Sequence, residues 1–117
     1  MANKIKVSII GLGYVGLPLA IELGKIFNTV GYDLSKHRID ELQNKNDKND
    51  EISKKDFTLS KKLTFTSNQN DIDNSNYIII SVPTPINKNN KPDLRMINSA
   101  TTLAGNYLKQ DTIVIYE

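Results

Sequence analysis

Three places along the chain carry residues whose types and spacing suit a nucleotide. Gly11, Gly13 and Gly16 form G-x-G-x-x-G within Lys6-Val7-Ser8-Ile9-Ile10-Gly11-Leu12-Gly13-Tyr14-Val15-Gly16-Leu17-Pro18. An apolar run precedes the glycines and a helical pattern follows them. Asp33 comes 20 residues after Gly13. That context turns a common glycine spacing into a dinucleotide-binding fingerprint. Gly11 permits the tight turn off a strand, Gly13 lets a pyrophosphate approach the backbone, and Gly16 lets the helix pack closely. The free N–H groups and positive dipole end of that helix face the phosphates. Asp33 accepts hydrogen bonds from both hydroxyls of an adenosine ribose, and its charge repels a 2′-phosphate, so NAD is expected over NADP.

Two further places flank this one. Arg38 lies in the first turn of a helix begun by Ser35, where a cation does not suit the dipole. It either stacks on an adenine or meets a phosphate, or it pairs with Asp40, Glu41 or another carboxylate. Val82-Pro83-Thr84-Pro85 ends a strand in a loop that two prolines hold extended. Thr84 offers a hydroxyl to a ribose or phosphate, while a rigid turn would account for the prolines alone. His37, the only histidine, has no partner nearby in sequence and is read as a surface residue.

The elements that must position these residues follow in order. Residues 4–10 form a buried strand. A helix from Tyr14 to Phe27 carries a stripe of Val15, Leu19, Leu23, Ile26 and Phe27. Pro18 fits it without loss only if the cap lies at Val15. Asn28 to Asp33 is a second strand ending in Asp33, and Ile39 and Leu42 face inward from the next helix. Asn44 to Lys62 is polar: a solvated loop, then a short helix near Ser53–Ser60 that buries Phe57. Leu63–Thr66 is a third strand, Asn68–Asn74 a turn or short helix, and Tyr77–Val82 a central parallel strand covered on both faces. After a polar loop over Asn87–Pro92, Asp93 caps a helix with Leu94, Ile97, Ala100, Ala104 and Leu108 on one face. Thr112–Tyr116 is the fifth strand. Right-handed crossovers then give a Rossmann-like α/β fold, a doubly wound parallel sheet of three layers in the order 3-2-1-4-5.

The 117 residues suffice for one domain. Apolar content of 38% and charged content of 24% suit a soluble globular chain. A net charge of +2 from 15 basic and 13 acidic residues gives no reason to expect nucleic acid or an anionic membrane as partner. No apolar run nears the roughly 20 residues that span a bilayer, and a cytoplasmic location is the default expectation. The absence of cysteine excludes disulfides, thiolate metal sites and a cysteine nucleophile within these residues.

Gly11-Leu12-Gly13-Tyr14-Val15-Gly16-Leu17-Pro18, Gly31-Tyr32-Asp33, Val82-Pro83-Thr84-Pro85-Ile86 and Pro92-Asp93-Leu94 together resemble the UDP-glucose/GDP-mannose dehydrogenase family. The wording is closest to its bacterial UDP-N-acetylhexosamine 6-dehydrogenases of surface-polysaccharide synthesis. The resemblance implies a two-step NAD-dependent oxidation of a UDP-sugar C6 alcohol to a carboxylate through a cysteine thioester. It places that cysteine, the UDP-sugar domain and a dimerising helix in segments outside these 117 residues. Residues 1–117 are thus expected to be the N-terminal NAD-binding domain of a longer, homodimeric or larger dehydrogenase, binding NAD without turnover. The resemblance further implies Gly11, Gly13, Tyr14, Val15 and Gly16 at the pyrophosphate, Asp33 and Arg38 at the adenosine ribose, and Val82, Pro83, Thr84 and Pro85 along the adenosine. No catalytic residue and no metal ligand is expected in this chain. Two other readings stay open: another dehydrogenase of β-hydroxyacid or 6-phosphogluconate type, which shares the fingerprint but usually lacks the VPTP loop, and a non-catalytic nucleotide-binding module.

Overall fold

The computed structural model describes residues 4–47 and 52–117. Five strands form one parallel sheet: β1 (Lys6–Ile10), β2 (Asn28–Tyr32), β3 (Leu63–Thr66), β4 (Tyr77–Ile80) and β5 (Ile113–Tyr116), in the order β3-β2-β1-β4-β5. This is the order expected from sequence. Helices α1 (Gly16–Gly24), α2 (Lys36–Gln43), α3 (Lys54–Leu59) and α4 (Arg95–Asn106) occupy the connections, with a 3-10 turn at Gln69–Ile72. Register pairs Ile10 with Tyr32 on one side and with Ile80 on the other. The carboxyl ends of the three central strands therefore finish level. The glycine turn, Asp33 and the Val82 loop all leave from that one edge, where ligands bind in such sheets.

Two apolar clusters, one on each face, follow from the alternation of side chains along a strand. Val7, Ile9 and Ile79 join Leu17, Ala20 and Ile21 of α1, Ile39 and Leu42 of α2, and Phe57 of α3. Ile10, Ile78 and Ile80 join Tyr32, Ile72, and Ala100 and Ala104 of α4 on the other face. Burial of both faces is why β1 and β4 are continuous apolar runs, interrupted only by Ser8. That buried hydroxyl is paired with the Ser75 hydroxyl at 2.6 Å.

Four expectations need correction. Helix α1 begins at Gly16 after a cap at Val15, and its buried face is Leu17, Ala20, Ile21 and Gly24. Of the expected stripe, Leu19, Leu23 and Phe27 are only half-buried and Val15 and Ile26 are exposed. Almost every position of this helix is apolar or small, so several stripes fit the spacing equally. The cap at Val15 puts Pro18 at the third helical position, whose N–H has no intrahelical partner, so the ring removes no bond. In α4 the buried residues are Ala100 and Ala104, whereas Leu94 and Leu108 are exposed. The cap residue by backbone geometry is Leu94; Asp93 stands one residue earlier, where its carboxylate accepts the Arg95 backbone N–H. Finally, the polar stretch after α2 is not uniformly solvated. Asp47 is 4% exposed, held by Arg38. Residues 48–51 of that loop lie outside the described residues. Ser35 caps α2 as expected, accepting from the Arg38 N–H, and Ser53 caps α3 in the same way, accepting from the Asp56 N–H.

Candidate functional site

The turn after β1 is shaped by what surrounds it. Gly11 has φ +100°, a conformation that a side chain strains, and an added Cβ would also press on Val82 and the Ser81 carbonyl at 3.0–3.1 Å. Its N–H donates to the Tyr32 carbonyl at 2.8 Å, and its own carbonyl accepts from the Ser81 hydroxyl at 2.8 Å. Gly16 is buried, and a Cβ there would run into the Gly11 carbonyl and the Ser81 hydroxyl. Gly13 differs: a Cβ would meet nothing within 4 Å. No protein atom requires glycine at that position, whereas a group brought up against the backbone from outside would.

Asp33 braces the turn from β2. One carboxylate oxygen accepts the Leu12 N–H and the other the Ser35 N–H, both at 2.9 Å. A carboxylate has about four acceptor positions, so capacity for two hydroxyl donors remains. Arg38 adds a second brace. Its Nε donates to the Leu12 carbonyl at 3.0 Å, while Nη1 donates to Glu41 at 3.3 Å and Asp47 at 3.1 Å. The ion pair with Glu41 is therefore present, and Arg38 still faces the cavity described next. Burial, with Asp33 and Tyr107 nearby, raises the Tyr32 phenol above its ordinary range.

A cavity of about 630 Å³ opens at this edge. Of the residues expected at a cofactor, Gly11, Gly13, Tyr14, Asp33, Arg38, Val82 and Pro83 line it. Val15, Gly16, Thr84 and Pro85 do not. Gly16 lies behind the turn, and Val15, Thr84 and Pro85 are exposed outside the lining. The far wall was not anticipated. Met96, Ser99 and Leu103 of α4 contribute to it, as do Tyr32, Leu34 and Gln69. Ala100 lines the cavity as well as the core, and Leu103 packs against that core, so one face of the helix serves both, with Ser99 at its edge. Ser81, the pin of the turn, was also missed, because a serine inside an apolar run reads as part of a strand. The start of α1 has no side-chain cap and no acidic residue in its first turn. The positive end of its dipole is thus not offset by a side chain, although the Leu17 N–H donates to the Gly13 carbonyl and Pro18 has no N–H. Among the described residues no group of acidic, histidine or cysteine side chains could hold a metal ion. No described helix is long and apolar enough to cross a membrane.

Residues 5–117 match the NAD binding domain of the UDP-glucose/GDP-mannose dehydrogenase family. The chain belongs to that family. It is 45% identical over 115 residues to a UDP-N-acetyl-D-glucosamine 6-dehydrogenase of Salmonella typhi and 42% identical to one of Pseudomonas aeruginosa. The alignments cover 98% of this chain but 27% of either relative, so the chain spans about a quarter of their length. Protein CapL of Staphylococcus aureus is 40% identical over 111 residues, 95% of this chain and 26% of that protein. Among solved structures, the UDP-D-ManNAc dehydrogenase of Pyrococcus horikoshii superposes with a TM-score of 0.88 at 27% identity, over 97% of this chain and 28% of that one. The UDP-N-acetyl-mannosamine dehydrogenase Cap5O of S. aureus gives 0.82 at 29%, over 96% and 28%. NAD is the family's cofactor at this domain. The open space at Gly13 and the two-donor capacity left on Asp33 fit a pyrophosphate and a ribose.

Proposed function

We propose that this chain is the N-terminal NAD-binding domain of a nucleotide-sugar 6-dehydrogenase acting in surface-polysaccharide synthesis. The observation that carries the site assignment is Gly13, whose missing side chain leaves open space that no protein atom uses, in the lining that it shares with Asp33. Gly11, Gly13 and Tyr14 hold the pyrophosphate through the turn and the start of α1. Gly16 and Val15 act behind them, the first by packing and the second as the helix cap. Asp33 takes the ribose hydroxyls, and Arg38, Val82 and Pro83 bound the adenosine, with Thr84 and Pro85 holding the loop just outside the lining. NAD, when bound, supplies the hydride acceptor. The chain's own residues bind and orient it.

The UDP-sugar, the cysteine nucleophile and the surface through which a dimer or larger assembly forms belong to segments other than residues 1–117. The compartment is the cytoplasm, and neither nucleic acid nor a membrane is a partner. Support comes from the named relatives and from the pairing of GYVGLP with VPTP. Calorimetric titration of the purified chain with NAD and with NADP tests the site. Saturable NAD binding, tighter than NADP, is the expected result; no NAD binding, or tighter NADP, overturns it. Formation of NADH from UDP-N-acetylhexosamines by this domain joined to its catalytic segments tests the activity.

A further inference from the structure

Arg38 poses a question of specificity. It lines the same cavity as Asp33, near where an adenosine ribose is assigned. An arginine in that neighbourhood is the residue type that accommodates the 2′-phosphate of NADP. By residue type alone, then, Asp33 and Arg38 argue in opposite directions.

The hydrogen bonds resolve the conflict. Nη1 of Arg38 is shared by Glu41 and Asp47, at 3.3 and 3.1 Å, and Nε is committed to the Leu12 carbonyl. The two carboxylate side chains are 9% and 1% exposed and that of Arg38 12%, so water and salt screen the cluster little. The single guanidinium charge faces two carboxylates, and both Nε and Nη1 are engaged by the protein itself. We propose that Glu41 and Asp47 are specificity-determining residues: by occupying Arg38 they keep the site selective for a ribose with a free 2′-hydroxyl, so that Asp33 is one of three carboxylates excluding NADP. This rests on the NAD site proposed above. It assigns the buried Asp47, which stands outside the fingerprint, a part in cofactor choice.

The test uses NAD and NADP dissociation constants of the purified chain, read as their ratio, because a purely structural loss weakens both cofactors alike. In an Asp33→Ser background, Arg38→Met should change the NADP/NAD ratio by less than about twofold, because Nε and Nη1 are engaged and two carboxylates offset the charge. Adding Glu41→Gln and Asp47→Asn to Asp33→Ser should shift the ratio toward NADP by about tenfold, the scale of one charge-assisted hydrogen bond. Arg38→Met should then abolish that shift. A ratio unmoved by the two amide substitutions, or an Arg38→Met that already shifts it tenfold when both carboxylates are present, overturns the proposal. Should the amide variant not fold, the Arg38→Met comparison decides alone. Failure of the unsubstituted chain to bind NAD would instead overturn the site assignment itself.

Discussion

The glycine turn and the Val82–Pro85 loop leave one sheet edge side by side, beside the same cavity, and are held by different means. The turn is tied to three other elements: by the Gly11 N–H to β2, by the Ser81 hydroxyl to the end of β4, and by Arg38 to α2. Asp33 holds it from the end of β2 as well. The loop has fewer ties. The Pro85 carbonyl accepts the Asp93 N–H at 2.6 Å, Ile86 bridges Pro92, and Asp93 pairs with Arg95 at the surface. Its stiffness comes from two prolines whose φ is set covalently. One wall is thus ordered by tertiary contacts and the other by local chain chemistry. Substitutions in the first should cost both fold and binding, and those in the second should act locally.

The largest effect is expected at Gly16. Gly16→Ala forces a methyl group into the Gly11 carbonyl and the Ser81 hydroxyl, and should destabilise the domain by at least about 3 kcal/mol. A denaturant melt with unchanged midpoint would refute the packing account. Asp33→Ala comes next. It strands the Leu12 and Ser35 N–H groups. The cost should be about 1–3 kcal/mol of stability, because donors lose their acceptor, and NAD affinity should fall with it. Gly13→Ala separates the two properties. Stability should stay within about 0.5 kcal/mol, since the methyl group meets no protein atom. NAD affinity should drop about tenfold or more, ~1.4 kcal/mol. Equal loss in both would mean that Gly13 serves the fold and not a ligand.

The smallest effect belongs to the loop wall. Hydrogen bonds from the Arg95 side chain, then from its backbone N–H, lower the Asp93 carboxyl from its ordinary value of 3.8 to about 2. A depressed acid stabilises the fold above its unfolded value. That contribution is therefore complete above about pH 4 and is lost as pH falls toward about 2. The carboxyl-carbon chemical shift of Asp93, followed by NMR, should show the low midpoint. Arg95→Ala should return it toward 3.8, with little change in melting temperature because exposed pairs contribute little.

The same contrast explains what could be read from the sequence. Strand order and the glycine–aspartate pair were legible because each rests on a pattern local to the chain: apolar runs, Gly spacing, a serine before a helix. Ser81 and Asp47 were not legible. The first contacts a residue 70 positions away, and the second lies in a polar run where any carboxylate looks solvated. The far wall from α4 was hidden for a related reason. Ala100 and Leu103 belong to the core face, with Ser99 at its edge, and only the sheet's geometry brings that face to the cavity. The buried stripe of α1 was misplaced because its composition supports more than one face.

The start of α1 also has a consequence for the domain on its own. Helices α2 and α3 complete themselves with Ser35 and Ser53, each an acceptor worth about 1 kcal/mol. Helix α1 has Val15 in that position. A cap side chain there could reach only the second and third helical positions, and neither offers a donor: the Leu17 N–H already donates to the Gly13 carbonyl at 3.1 Å and Pro18 has no N–H. The backbone of the glycine turn therefore takes the place of a side-chain cap, so a substitution that distorts the turn should also loosen the start of α1.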